Sequence, residues 1–179
     1  QDILVGNISF LREYKGHQFI ARTAASMPEK YKFMIVGGGN GRTILEKDIA
    51  EAGVGDRFIL TGHREDPERF FSALDIIFFS SYETEGISQS FIQGLLYGIP
   101  LLVCRTPSLL EPLEFVKQYQ SVDYNDLAAS KAGLLKLSEH LRRNEEDIQQ
   151  QRQDIAGKYG LTAMVENIIR VYSGYGIEV

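Results

Sequence analysis

The chain has 179 residues, 44% of them hydrophobic and 24% charged, enough for one ordinary globular domain with a real core. Its net charge of −5 excludes the electrostatic footprint of a nucleic-acid binder, and no basic run marks a membrane surface. One cysteine and three scattered histidines give no metal-ligand spacing, and no apolar run approaches the roughly 18 residues of a membrane span.

In chain order, Asp2 to Ile8 is the first strand. The polar stretch Ser9 to Tyr14 breaks its period, and a helix follows from about Lys15, with Phe19, Ile20, Thr23, Ala24 and Met27 as its apolar stripe and Pro28 at its end. Lys32 to Val36 is the second strand and Gly37 to Gly41 the turn after it. The next helix turns Ile44, Leu45 and Ile49 inward and closes near Gly53. Asp56 to Thr61 is the third strand, with Gly62 to Asp66 its loop; Pro67 suits the first turn of a short helix carrying Phe70, Phe71 and Leu74. Asp75 to Phe79 and Pro100 to Cys104 are apolar runs of a length that reads as strands buried on both faces. Cys104 then reads as an inert buried thiol in a reducing compartment.

Beyond Cys104 the pattern thins. Ser108 to Gln118 is helical in part, broken by Pro112, and Ser121 to Tyr124 is a short edge strand. Leu127, Leu134, Leu135 and Leu141 mark a helix. Glu145 to Lys158 is a very polar one, its run Asn144 to Asp154 a solvated face, and Leu161 to Tyr172 a last one burying Met164, Val165, Ile168, Ile169 and Tyr172. Strand and helix alternating at this spacing predict an α/β domain, a doubly wound parallel sheet of five strands plus that edge. A strand-like segment starting almost at Gln1 reads as a piece of a longer protein.

The stretch Ser80 to Val103 organises the rest. From Ser88 onward Phe91, Ile92, Leu95 and Leu96 fall within an arc of about 140°, an amphipathic crossover helix with Gln93 at the border of the arc, where a side chain can line a cleft. Main-chain N–H groups of Gly86, Ile87 and Ser88 would point from its positive end. A helix start at the carboxyl end of a parallel strand is an anion site. Glu85 stands just before it.

Glu85, seven intervening residues and Gln93, then Gly98-Ile99-Pro100 ahead of a strand, resemble the signature of retaining glycosyltransferases of family 4, in their carboxy-terminal GT-B domain. The family pattern ends in a second Glu, where this chain has Gln93. The resemblance implies a Rossmann-like donor-binding domain, with Glu85 catalytic beside the donor sugar, the loop amides of Gly86, Ile87 and Ser88 on sugar and diphosphate, and Gln93 on the ribose. An amide can bond the ribose hydroxyls without a carboxylate's charge. It also implies an Arg and a Lys neutralising the diphosphate. Lys15 precedes Gly16 as the family's Lys precedes its Gly; the family's Arg directly follows the strand-end Gly, where this chain has Asn7, and Arg12 takes the role from an expanded loop.

The glycine run resembles a nicotinamide fingerprint only superficially. A third glycine is needed where Arg42 stands, and the motif should follow the first strand. Gly38 and Gly39 read instead as a turn that lets backbone approach the nucleotide, with His63 near the base; His17 and His140 read as surface groups. The resemblance thus implies a cytoplasmic, donor-binding half of a glycosyltransferase that needs no cofactor and no metal. Its donor is a nucleotide-diphospho-sugar and its acceptor a glycan or glycolipid, as in polysaccharide biosynthesis. An absent amino-terminal domain holds the acceptor and carries any peripheral membrane association. The rival readings are a sugar-nucleotide-binding module without catalysis and a sugar-nucleotide epimerase on the same fold.

Overall fold

The computed structural model describes residues 2–83, 86–141 and 144–175. These form a six-stranded sheet, all parallel: β1 (Ile3–Ile8), β2 (Tyr31–Val36), β3 (Phe58–Gly62), β4 (Ile76–Phe79), β5 (Leu101–Cys104) and β6 (Tyr119–Val122), in the order β3-β2-β1-β4-β5-β6. The helices between them are α1 (His17–Ser26), α2 (Arg42–Glu51), α3 (Glu68–Phe71), α4 (Gln89–Leu96), α5 (Pro107–Leu110), α6 (Leu127–Ser138), α7 (Glu145–Tyr159) and α8 (Leu161–Gly174).

The continuous apolar runs divide by strand alternation. In β4, Ile76 and Phe78 join one core, with Phe19, Phe33 and Leu134; Ile77 and Phe79 join the other, with Phe71, Phe91 and Leu95. β5 does the same, Leu102 and Cys104 on the first face and Leu101 and Val103 on the second. Two buried layers of helices on one sheet result from that split. The chain order reverses between β1 and β4, so the loops leaving their carboxyl ends diverge and open a crevice, the usual ligand position in a doubly wound sheet.

Several boundaries differ from the sequence reading. The first helix begins at His17, because Glu13–Lys15 winds a 3-10 turn that stops at Gly16, whose φ of 67° is left-handed. β3 begins at Phe58 because Gly55–Arg57 forms another such turn. That turn carries the Arg57 guanidinium to the carbonyls of Ala24 and Met27, 2.7 and 2.9 Å away, where it caps α1. β6 lies two residues earlier than expected, set by its pairing with β5 from Leu101 opposite Tyr119. Ile44, Leu127 and Leu135 are exposed, while Leu137 takes an inward position on α6. Gln151, within the expected solvated face of α7, is buried and donates to Leu95 O at 2.6 Å; Arg152 donates to Leu96 O at 2.7 Å. Together they satisfy carbonyls at the end of α4.

The largest correction concerns α8. Its stripe of Met164, Val165, Ile168, Ile169 and Tyr172 is exposed rather than buried. Periodicity predicts a face in need of a partner, and among the described residues α7 is the element that packs most against α8.

Candidate functional site

A cleft of about 340 Å³ opens at the carboxyl edge of β1, β2, β3 and β4, within the range of small-molecule sites. Four successive loops line it. From β3 come His63, Arg64 and Pro67; from β2, Gly37 and Gly38; from β1, Ser9, Phe10 and Lys15; and from the start of α4, Ser88, Gln89, Ser90 and Gln93.

Lys15 is only 8% exposed, with its ammonium 5.4 Å from the centre of the Tyr14 ring. Its position is built from β4. Ser80 Oγ donates to Lys15 O at 2.7 Å, and Tyr82 N donates to Tyr14 O at 3.0 Å. A side chain at Gly16 would collide with Ser80 O, so glycine is required there on steric as well as conformational grounds. Beneath this turn lies a buried polar cluster. Asn7 donates to Phe78 O at 2.8 Å, Ser9 Oγ donates to Asn7 Oδ1 at 2.7 Å, and His17 Nε2 lies 3.0 Å from Ser9 Oγ and 3.2 Å from Asn7 Oδ1. With the Ser9 proton committed to Asn7, Nε2 carries the histidine proton. Burial first, and then the Lys15 charge, lower the His17 pKa to about 4, so the ring is neutral at pH 7. His17 is therefore a core group and not the expected surface one.

The same cluster accounts for Asn7 where the family resemblance puts an arginine. The Asn7 side chain is turned inward onto Phe78 and Ser9 and is 2% exposed. A guanidinium starting from that Cβ would have to displace the cluster.

On the opposite side of the cleft Ser88 caps α4, its Oγ accepting from Phe91 N at 3.3 Å. Gln89 and Ser90, in the first turn, have N–H groups with no carbonyl four residues back inside the helix. Their positive end faces the cleft that Lys15 lines. The second cation on the wall, Arg64, is paired with Asp66 at 3.2 Å and lies over the Phe70 ring.

Of the residues singled out by sequence, the structure brings Lys15, Gly38, His63, Ser88 and Gln93 to one cleft. Arg12 is not among them. It is exposed, 3.5 Å from Tyr14 OH, and lines an adjoining recess with Glu13, Gly39 and Asn40. Gly39 shares that recess, and Leu11 O occupies the space of its missing side chain, so the backbone approached there is that of the β1 loop. Gly86 is exposed, Ile87 packs against the second core, and neither lines the cleft. Glu85 lies outside the described residues. Phe10, Arg64, Pro67, Gln89 and Ser90 were missed; their one sequence signal is a place just past a strand's carboxyl end or at the start of a crossover helix.

The family model for "Glycosyl transferases group 1" matches residues 3–140. This chain belongs to that family. Among curated relatives, 2-deoxystreptamine glucosyltransferase of Streptomyces kanamyceticus is 28% identical over 103 residues, which are 55% of this chain and 26% of that protein. In solved structures the fold recurs in Anabaena HepE in complex with UDP-glucose, with a TM-score of 0.84 at 17% identity, covering 97% of this chain and 49% of the other. It recurs also in sucrose-phosphate synthase of Thermosynechococcus elongatus, with a TM-score of 0.84 at 18% identity, covering 98% and 46%. This chain thus spans about half the length of those solved chains. Its doubly wound, Rossmann-like sheet is the one they share.

Proposed function

We propose that this chain is the donor-binding half of a retaining glycosyltransferase, holding a nucleotide-diphospho-sugar in the cleft at the β1–β4 switch point. The observation that carries the reading is the convergence of Lys15, the positive end of α4 and Gln93 on one cleft. A diphosphate between Lys15 and the amides of Gln89 and Ser90 gains charge-assisted bonds, and these strengthen as the nucleoside diphosphate departs. Gln93, one turn further along α4, is in reach of the ribose. The base then lies toward Gly38 and His63. Glu85 orients the sugar. The bond from the anomeric carbon to the diphosphate oxygen breaks, and an acceptor hydroxyl oxygen takes its place on the same face, its proton passing to the departing nucleoside diphosphate.

The acceptor, a glycan or glycolipid, is supplied from an amino-terminal domain in the cytoplasm, and no metal is assigned a role. Binding without turnover is the second reading, favoured by Gln93 standing where the family has a carboxylate. In the full-length protein Gln93→Glu should leave transfer little changed if the site is already active, and raise it greatly if the site is a degenerate module.

Calorimetry on the chain with UDP, GDP and ADP tests the site. Lys15→Ala should weaken the best-bound diphosphate by about 1.5–3 kcal/mol, the scale of a hydrogen bond to a charged group. Free nucleosides should be nearly indifferent. Equal effects on nucleoside and nucleoside diphosphate would rule out the assigned role.

A further inference from the structure

Phe10 is the one exposed phenylalanine among the described residues, 62% accessible at the mouth of the cleft. The loop that presents it is firmly held. Ser9 N donates to Val36 O at 3.1 Å, Leu11 N to Gly38 O at 2.9 Å, and Gly41 N to Leu11 O at 3.0 Å, while the Leu11 side chain is buried. Side chains at Gly37 and Gly39 would collide with Ser9 O and Leu11 O, so the glycine run is shaped to accept this loop. Gly37 and Gly39 have φ of 153° and 150°, backbone that other residues rarely adopt. A large aromatic ring is thus held in water by a fixed backbone, at the edge of a binding cleft.

The position of Phe10 in the cleft identifies what it meets. The phosphate end of the cleft is at Lys15 and the start of α4, on the β1–β4 side. The Phe10 backbone lies instead over the β2 turn, and Phe10 separates the Arg12 recess, which it also lines, from the part of the cleft formed by Gly38, His63 and Pro67 of the β2 and β3 loops. Gly38 adds no side chain to the floor there. An aromatic face beside a bare backbone floor, at the end away from Lys15, where the cation on the wall, Arg64, is paired with Asp66, suits a flat heteroaromatic group.

We infer that Phe10 is a stacking platform for the nucleobase of the donor, a binding residue that acts on any base through its π-face. This rests on the donor-site reading and adds to it the residue that holds the base end. Phe10→Ala should weaken the best-bound nucleoside diphosphate at least about fivefold, the lower end of base–aromatic stacking. Inorganic pyrophosphate, which has no base, should bind as before, and Phe10→Tyr should restore the nucleotide. The exposed site makes the melting temperature insensitive to both changes.

The chain contains no tryptophan, so Phe10→Trp installs a single reporter. Its emission should fall on saturation with the nucleoside diphosphate and stay unchanged with pyrophosphate. Unaltered emission at full nucleotide saturation, or a Phe10→Ala chain binding nucleotide as well as the parent, overturns the assignment. A response only to an acceptor sugar does so equally, and moves Phe10 to the acceptor side. If Lys15→Ala abolishes nucleotide binding while Phe10→Ala is neutral, stacking alone fails and the donor site stands. If the parent chain binds no nucleotide, both fall.

Discussion

Replacing His17 by Gln removes one titration from the core while keeping a side-chain donor for Ser9 and Asn7. In the folded chain His17 titrates at about 4 instead of 6.5, because burial and the Lys15 charge disfavour the imidazolium. Between these values the unfolded chain takes up a proton that the native one refuses. Its contribution to stability is complete above pH 6.5 and is lost as the pH falls toward 4. At 1.36 kcal/mol per unit the loss reaches about 3 kcal/mol. Urea denaturation of parent and His17→Gln at half-unit steps from pH 7.5 to 4 measures it. Subtracting the two curves cancels the carboxylates, which both chains share. The difference should be flat above pH 7 and should narrow in favour of the variant by about 3 kcal/mol down to pH 4. Parallel curves would mean that His17 titrates alike in both states, and that the buried neutral cluster under Lys15 is wrongly described.

Arg57→Met should cost about 1.5–3 kcal/mol in chemical denaturation, since it strips a charged donor from the carbonyls of Ala24 and Met27; a change below about 0.5 kcal/mol would show that water replaces it. Met164→Lys, on the α8 stripe at 50% accessibility, should shift the stability of this chain by no more than about 0.5 kcal/mol, whereas a buried stripe would lose several. If the full-length protein transfers sugar as proposed, Glu85→Ala should depress turnover more than nucleoside-diphosphate affinity. Gln93→Ala should instead weaken the nucleotide by roughly 0.5–1.5 kcal/mol, and a 2′-deoxyribose nucleotide should lose much of the same energy in the parent only.

The sheet was legible because its strands are buried on both faces and interrupted by turn residues. β4 and β5 are uniform apolar runs whose alternate residues feed separate cores. The place of the cleft was legible too, since a crossover helix after a parallel strand puts its start at the carboxyl edge of the sheet. Periodicity cannot tell whether a stripe finds its partner within the chain, and α8 shows the consequence. Nor does it carry single long-range polar contacts. Nothing local to Arg57 or Gln151 signals α1 carbonyls or Leu95 O, more than thirty and fifty residues away. His17 reads as a surface residue until β1 is folded against α1 and supplies Asn7 and Ser9. Arg12 was assigned by analogy of charge, but the β1 loop folds onto the glycine run, and its side chain leaves toward the neighbouring recess.

The most direct test of the account is a crystal structure of this chain grown with the nucleoside diphosphate it binds best. The diphosphate should lie between Lys15 Nζ and the amides of Gln89 and Ser90, with the ribose beside Gln93 and the base between Phe10 and the Gly38–His63 wall. A nucleotide seated elsewhere on the chain, or a diphosphate held by Arg12 in the recess beside Gly39 while the Lys15 cleft holds only water, would contradict it.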